Sequence, residues 1–225
     1  MVRTYSYKRD GGRKLSPHFT VREFRCKDGS DKILIDDQLI VVLESLYVNL
    51  NCSAINITSG YRTPSHSVAV GGYASDNHTK GIAADIKCKD KNGRLIAASD
   101  ILTVYEDLGF CQGAGYINKY AVHIDTRAKK CYFIEPSMKT VSSWRGWFNE
   151  LIREPFSVFI VKDPALNVRT GPGKSSRAIY TIQRLVRVRI SIKNQKGTPL
   201  TRGSWGNIVN TPNWVSTAPA MVEHL

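Results

Sequence analysis

Three residues of this 225-residue chain have the side chains and the spacing to hold a metal ion together. His78 and Asp85 lie in the stretch DNHTKGIAAD, and His123 lies further along in AVHIDTR. Zn²⁺ binds imidazole nitrogen and carboxylate oxygen, and a catalytic zinc site uses three protein ligands and leaves a fourth position open. The residue types therefore predict a zinc site. The alternative is that each is an ordinary polar side chain near a strand, satisfied by hydrogen bonds.

Two strand-like segments would position two of these ligands. Residues 81–88 (GIAADIKC) and 120–127 (YAVHIDTR) both alternate along the chain. Successive side chains of a strand point to opposite faces, so Asp85 lies on one face of the first strand, and His123 and Asp125 share one face of the second. If the two strands are neighbours in a sheet, Asp85 and His123 converge on one side of it.

His78 precedes the first strand and would have to fold back over it. The small residues Gly81 and Ala83 are expected to leave room for that. The other histidines are weaker candidates: His18 is expected to be structural, His66 lies in a loop, and His224 is near the end of the chain.

The elements around this site predict an α+β domain over residues 1–150. Apolar residues recur at helical spacing in 34–51 and again in 97–110, where Gly109 is a stop signal. A further strand is predicted at 54–58. Helices mixed with short strands favour a small antiparallel sheet covered by helices.

The pattern of apolar and turn-forming residues changes after residue 150, and residues 155–225 predict a small all-β, SH3-like barrel. Short strand-like runs are separated by turns that contain proline and glycine, and no helical period is present. In RLVRVRISIK, the period of two directs four apolar residues inward, namely Val186, Val188, Ile190 and Ile192. The same period directs a basic stripe outward, comprising Arg187, Arg189 and Lys193 with Ser191.

The charge of the chain predicts a polyanionic partner. The formal net charge is +13, and residues 155–225 hold ten Lys and Arg against two Asp and Glu. Nucleic acid, an anionic membrane surface or an anionic cell-wall polymer would each fit this balance. No apolar run is long enough to cross a membrane, so membrane insertion is not expected. The N-terminus lacks a signal-peptide pattern, and the five cysteines lack metal-type spacing, which predicts reduced thiols and synthesis in the cytoplasm.

The stretch SGYRTPSHSVAVGGYASDNHTKGIAADI, followed by VHIDTR, resembles the M15 zinc peptidases, the group of D-alanyl-D-alanine carboxypeptidases and L-alanyl-D-glutamate peptidases. The resemblance covers about residues 14–130, and the opening LSPHFTVREFRCKDG is similar to the branch found in phage lysis enzymes. It implies one Zn²⁺ bound by His78, Asp85 and His123. It also implies that Arg62 of SGYR holds a substrate carboxylate, a task that suits the planar guanidinium.

Two positions depart from the pattern of that family. A serine is expected two residues before the first histidine, where this chain has Asp76. Many members place a glutamate, the general base, three residues before the last histidine, where this chain has Tyr120. Asp125 is the first candidate for the base because it shares a face with His123, and Asp76 and Tyr120 compete with it near the substrate. Asp125 could equally orient a ligand or pair with Arg127.

Within residues 155–225, the stretch LNVRTGPG resembles bacterial SH3b cell-wall-binding domains. Together the two resemblances imply a zinc peptidase that cleaves the peptide part of peptidoglycan, with an anionic wall polymer as a further partner. The absence of a signal peptide is typical of a phage or prophage endolysin that is released from the cytoplasm to the wall. The alternatives are a bacterial carboxypeptidase or autolysin, and a zinc-containing wall-binding module without activity. Nucleic-acid binding is not expected, because it leaves the predicted zinc site unexplained.

Overall fold

The computed structural model describes residues 1–149, 156–191, 205–218 and 221–225. We call residues 1–149 the N-terminal unit and the described residues from 156 onward the C-terminal unit. The N-terminal unit contains β1 (Val2–Ser6), α1 (Tyr7–Asp10), a 3-10 helix (Val21–Phe24), β2 (Lys32–Asp36), α2 (Asp37–Asn49), β3 (Ala54–Ser59), α3 (Pro64–Ala69), β4 (Ala83–Lys89), α4 (Ala98–Asp107), β5 (Gly113–Asn118), β6 (Ala121–Asp125), β7 (Cys131–Ile134), β8 (Lys139–Val141) and α5 (Trp144–Phe148).

A six-stranded sheet forms the centre of the N-terminal unit, in the order β3-β4-β6-β5-β7-β8. All neighbouring strands are antiparallel except β5 and β7, which are parallel. The sequence predicted an antiparallel sheet, and this pair is the exception. The far edge of β6 is already paired with β4, so the chain turns back after β6 and pairs β7 with the free edge of β5.

The two long helices lie where the apolar spacing predicted them, and both pack into the core of the N-terminal unit. α2 buries Leu39, Leu43 and Leu46, and α4 buries Ile101 and Leu102. Gly109 follows α4 with φ of +72°, a conformation that glycine adopts at little cost and that ends the helix. The α+β prediction for this part of the chain is confirmed.

The C-terminal unit contains only strands among its described residues. They are β9 (Phe156–Val161), β10 (Ala165–Arg169), β11 (Ala178–Gln183), β12 (Arg187–Ser191), β13 (Trp205–Asn207), β14 (Trp214–Ser216) and β15 (Val222–His224). They form one sheet in the order β11-β10-β14-β13 and another in the order β12-β9-β15, linked by a bridge between Ile190 and Ile208. No closed barrel is seen in the residues described here.

The basic stripe predicted on β12 is wrong for Arg187 and Arg189. Val186, Val188 and Ile190 are buried as predicted, but Arg189 is only 4% exposed. β12 packs on α2 of the N-terminal unit, so the face opposite its own apolar core is also covered. Ile192 and Lys193, which complete the predicted pattern, lie outside the described residues.

The arginines of β12 are therefore used inside the molecule. Arg189 Nη1 lies 2.8 Å from Oδ2 of Asp107, and both side chains are buried. Arg187 donates from Nη1 to the carbonyl of Leu108 (2.8 Å), and its guanidinium lies over the Phe110 ring. These contacts attach the C-terminal unit to the end of α4.

No helix in the described part of the chain is both long and apolar enough to cross a membrane. All five cysteines lie in the described residues, and each is a free thiol.

Candidate metal centre

The pairing of β4 with β6 brings two of the predicted ligands together. Asp85 lies opposite His123 in this antiparallel pair, as the alternation of the two segments predicted. Nδ1 of His123 lies 2.9 Å from Oδ1 of Asp85. Both side chains project from the same face of the central sheet, where the strands hold them rigidly.

His78 reaches the same place from the loop that precedes β4. Its Nε2 lies 3.3 Å from Oδ1 of Asp85. One ligand atom from each of His78, Asp85 and His123 lies within 4.8 Å of the others. Both histidines are buried, whereas the Asp85 side chain is 14% exposed. The cluster is therefore enclosed on most sides.

Gly81 does not make room for His78, as the sequence predicted, but allows another close contact. Its φ is +73°, and a Cβ at this position would lie 2.4 Å from Cβ of Leu34 and 2.6 Å from its carbonyl carbon. The glycine therefore lets the loop pass close to β2, and its carbonyl accepts a hydrogen bond from the Asp36 amide (2.9 Å). The missing side chain makes room for β2 rather than for His78.

The second nitrogen of each histidine ring has a fixed hydrogen-bond acceptor. Nδ1 of His78 donates to the Gly60 carbonyl (2.8 Å), which leaves Nε2 as the nitrogen without a proton in the neutral ring. Nε2 of His123 donates to Oδ2 of Asp125 (3.0 Å), so Nδ1 is its free position for a metal. Metal-binding histidines typically donate their other N–H to a carbonyl or carboxylate in this way. Two histidines and one carboxylate, held in this manner, fit Zn²⁺.

The electrostatics of the cluster favour a cation at its centre. Burial lowers the pKa of His123, but its hydrogen bonds to Asp125 and Asp85 and the charges of both outweigh burial and raise that pKa to about 9. Burial acts to raise the pKa of Asp85, yet the hydrogen bonds from His123 and His78 hold it well below its usual range. The raised pKa of His123 favours a proton on Nδ1, between the ring and Asp85, and a bound metal ion would replace that proton.

Asp125 is fully buried, and its oxygens are already occupied. Oδ1 accepts from the backbone N–H (3.0 Å) and Nε (2.8 Å) of Arg127, and Oδ2 accepts from His123 and from Nη2 of Arg127. Burial acts to raise the pKa of Asp125, but the hydrogen bonds from His123 and Arg127 hold it well below its usual range. A carboxylate in this position orients His123. The geometry therefore favours the orienting role of Asp125 over that of the general base.

Arg62 lies beside the cluster and pairs with the carboxylate of Asp85. Its Nη2 lies 2.8 Å from Oδ2 of Asp85, and its Nε donates to Oγ of Ser59 (2.8 Å). Oδ2 of Asp85 is thus held by Arg62, while Oδ1 faces the two histidines. Nη1 of Arg62 makes no hydrogen bond within the described residues, so it remains able to bind a further carboxylate.

The stretch around the 3-10 helix holds this arginine in place. The Tyr61 amide donates to the carbonyl of Phe24 (2.9 Å), and the Thr63 amide donates to Sγ of Cys26 (3.3 Å). A Cβ on Gly60 would lie 2.6 Å from Cα of Phe24, so only glycine allows the two segments to approach this closely.

Asp76 and Tyr120 make contacts away from the cluster. The two carboxylate oxygens of Asp76 accept from the Thr79 amide (3.0 Å) and from the Ser67 hydroxyl, which fixes the loop that carries His78. Tyr120 lies at the turn between β5 and β6, where its ring is beneath the ammonium of Lys119 (5.2 Å). These contacts give Asp76 a structural role and give Tyr120 no described contact with the cluster.

Sequence reasoning missed two glycines and two further residues around the cluster. A Cβ on Gly113 would lie 2.2 Å from Oδ1 of Asp125, and one on Gly115 would lie 2.6 Å from the ring of Phe133. The Phe133 ring lies 5.4 Å from that of His123, and Glu135 follows two residues later. The only sequence signal was the GAG triplet in a strand, which marks a close approach.

Comparison with known proteins gives one family. The family model Peptidase M15 matches residues 17–125, a segment that contains Arg62 and the whole His78, Asp85 and His123 cluster. No curated protein and no solved structure matches the chain. The matched segment is similar to the M15 peptidases, a family of zinc-dependent metallopeptidases that act on peptidoglycan.

Proposed function

We propose that this protein hydrolyses an amide bond in the stem peptide or cross-link of peptidoglycan, and that it acts as an endolysin. The observation that carries the proposal is the cluster of His78, Asp85 and His123, in which both rings are oriented by fixed acceptors. A solvated polar cluster would not need such positioning. The family match over the same residues supports the same reaction.

His78 (Nε2), Asp85 (Oδ1) and His123 (Nδ1) are the proposed zinc ligands. A bound Zn²⁺ would lower the pKa of a water ligand and polarise the scissile carbonyl. Arg62 would bind a carboxylate of the stem peptide through the N–H groups that Ser59 and Asp85 do not use. A terminal carboxylate in this position makes the enzyme a carboxypeptidase, and an internal one makes it an endopeptidase.

The C-terminal unit is proposed to be an SH3b-like domain that binds the wall. The LNVRTGPG resemblance and the all-β character of its described residues support this role. Exposed basic side chains remain on this unit at Lys174, Arg177 and Arg184, and they would face an anionic polymer. We further propose that the protein is made in the cytoplasm and reaches the wall at lysis.

A zinc-containing wall-binding module without activity is the second candidate. One observation favours it, namely that Asp125 is saturated with hydrogen bonds and that Tyr120 lies away from the cluster. Neither of the first candidates for the base is therefore free beside the predicted ligands. Only a hydrolysis assay separates the two candidates.

The decisive experiment incubates purified cell walls with the zinc-loaded protein and identifies the new peptide ends by mass spectrometry. We expect new amino and carboxyl ends, their loss on adding a chelator, and their return on adding Zn²⁺. His78→Ala should be inactive, and His224→Ala is the matched control because His224 lies on β15 of the C-terminal unit. Wall binding without new ends would establish the inactive module, and hydrolysis unaffected by chelation would refute the zinc peptidase.

A further inference from the structure

A second carboxylate lies on the face of the central sheet that carries the cluster. Asp85 pairs with His123, His123 with Gly115, and Gly115 with Phe133, so these four residues form one row across the sheet. Side chains in one row project to the same face. The contact of the Phe133 ring with the His123 ring, 5.4 Å between centroids, agrees with this placement.

Glu135 follows Phe133 by two residues, at the first position of the turn between β7 and β8. Its amide donates to the carbonyl of Tyr116 (2.9 Å), which continues the pairing of β7 with β5 up to this residue. Because Pro136 follows, an extended backbone is favoured at Glu135, and the alternation of β7 then directs its side chain toward the face that carries Phe133. Its position is two residues further along β7 than the row that contains His123, on the side where β5 and β6 are joined by their turn.

The surroundings of Glu135 place its carboxylate within electrostatic range of the cluster. Burial raises the pKa of Glu135 above its usual value, and the charge of Asp85 adds to that effect. The charges of His123, His78 and Arg62 act on the same carboxylate in the opposite direction. These electrostatic effects agree with a placement of Glu135 on the face of the sheet that carries the cluster.

Glu135 also differs from Asp125 in being free. It is half-buried, and its carboxylate makes no hydrogen bond and no ion pair with any residue that the structure describes. Asp125, by contrast, is fully buried and accepts hydrogen bonds on both oxygens. A proton acceptor needs a free oxygen to reach the water that it activates, and of these two carboxylates Glu135 is the one that has it.

We propose that Glu135 is the general base of the amide hydrolysis, an inference that rests on the function proposed above. Its carboxylate accepts a proton from the attacking water as the new C–O bond forms at the scissile carbonyl carbon. The same proton then passes to the departing nitrogen as the C–N bond breaks, which restores the carboxylate. The products are one new carboxyl end and one new amino end. The glutamate that many relatives are expected to carry three residues before the last histidine is thus supplied here from the end of β7, a strand two places from β6 in the sheet.

The test compares the full-length, zinc-loaded protein with its Glu135→Gln variant on a soluble stem peptide, together with the zinc content and the peptide dissociation constant. General-base catalysis contributes about 10²- to 10⁴-fold, so we expect kcat to fall by that factor. Zinc content and peptide affinity should stay within about twofold, because Glu135 is neither a ligand nor a substrate anchor in this proposal. Glu223→Gln, an exposed substitution of the same type on β15, is the matched control and should leave all three values unchanged.

A second variant covers the case in which glutamine disturbs the fold. Glu135→Ala should lose activity in the same way and recover part of it with added formate, a small carboxylate that can replace the lost base. A Glu135→Gln protein with near-normal kcat would overturn the proposal, as would a loss of kcat accompanied by a parallel loss of zinc or peptide affinity. If the unaltered protein itself fails to hydrolyse both peptide and walls, the proposed function is refuted first, and the role of Glu135 with it.

Discussion

Replacing Asp125 by asparagine should weaken zinc binding without unfolding the protein. Asp125 does not touch the proposed metal position; it accepts the Nε2 proton of His123 and so leaves Nδ1 to face Asp85. An asparagine can turn its amide NH₂ toward Nε2, and the ring then responds by carrying its proton on Nδ1. That tautomer blocks the nitrogen that the metal needs.

The expected size of the effect follows from the contacts of this side chain. Loss of a hydrogen-bond partner behind a metal ligand costs about 10- to 100-fold in metal affinity, which is roughly 1.4–2.8 kcal/mol. The protein should still fold, because asparagine keeps an oxygen that can accept from the Arg127 amide and Nε. The charge on Arg127 then loses its partner, and hydrogen bonds to charged groups contribute about 1.5–3 kcal/mol, so a drop in stability within that range is expected.

Zinc affinity is best measured by competition with a chromophoric chelator, and the fold by circular dichroism and thermal unfolding of the metal-free protein. Asp37→Asn is the matched control, since Asp37 is exposed and pairs only with Arg3 among the described residues. Zinc affinity within about threefold of the unaltered protein, in a folded Asp125→Asn variant, would refute the orienting role of this carboxylate.

Two further substitutions test the positioning of the site and of the units. Gly113→Ala places a Cβ 2.2 Å from the Asp125 carboxylate and should lower the zinc affinity at least tenfold, as Asp125→Asn is expected to do. Gly146→Ala is the control in the same chelator assay, because the nearest neighbour of its Cβ would lie at 3.8 Å. Asn49→Ala removes the buried amide that donates to one backbone carbonyl of β12 (2.8 Å) and accepts from one of its amides (2.7 Å). Leaving both groups unpaired should cost roughly 2–5 kcal/mol in denaturant unfolding, whereas exposed Asn56→Ala should cost little; equal stability of the two variants would contradict this account of the junction.

Strand alternation predicted the faces on which Asp85 and His123 lie, and their meeting followed only on the assumption that the two strands are neighbours. The period of two is a local property of the chain, and both segments carry it clearly. The residues that complete the surroundings could not be found in this way. Glu135 comes near the cluster only because β7 pairs with β5 in parallel, and that choice depends on which sheet edge is free. The alternation of a strand does not show which distant strand it pairs with.

The arginines of β12 show a different limit of prediction from the sequence. Alternation correctly placed Val188 and Ile190 on one face of β12 and Arg187 and Arg189 on the other. The predicted basic stripe also assumed that the face with the arginines is exposed to solvent. α2 and the end of α4 cover that face, and the buried carboxylate of Asp107 partners Arg189. The alternation of a strand shows which side chains share a face. It does not show whether solvent or another element of the fold covers that face. The excess charge of the C-terminal unit is therefore smaller at its surface than the count of basic residues indicates.

One helix connects the proposed site with the C-terminal unit. At the start of α2, the Asp36 amide donates to the carbonyl of Gly81 in the loop between His78 and β4, and its carboxylate accepts from the Thr126 hydroxyl (2.7 Å), next to Asp125. At its end, Asn49 bonds the backbone of β12. The 13 residues of α2 span about 20 Å at 1.5 Å per residue. Hydrogen bonds at both ends of α2 fix its position relative to the cluster and to β12. A C-terminal unit bound to the wall would therefore hold the cluster at a set distance and orientation from the polymer. Under the proposed function, α2 would then set the reach of the cluster along the wall.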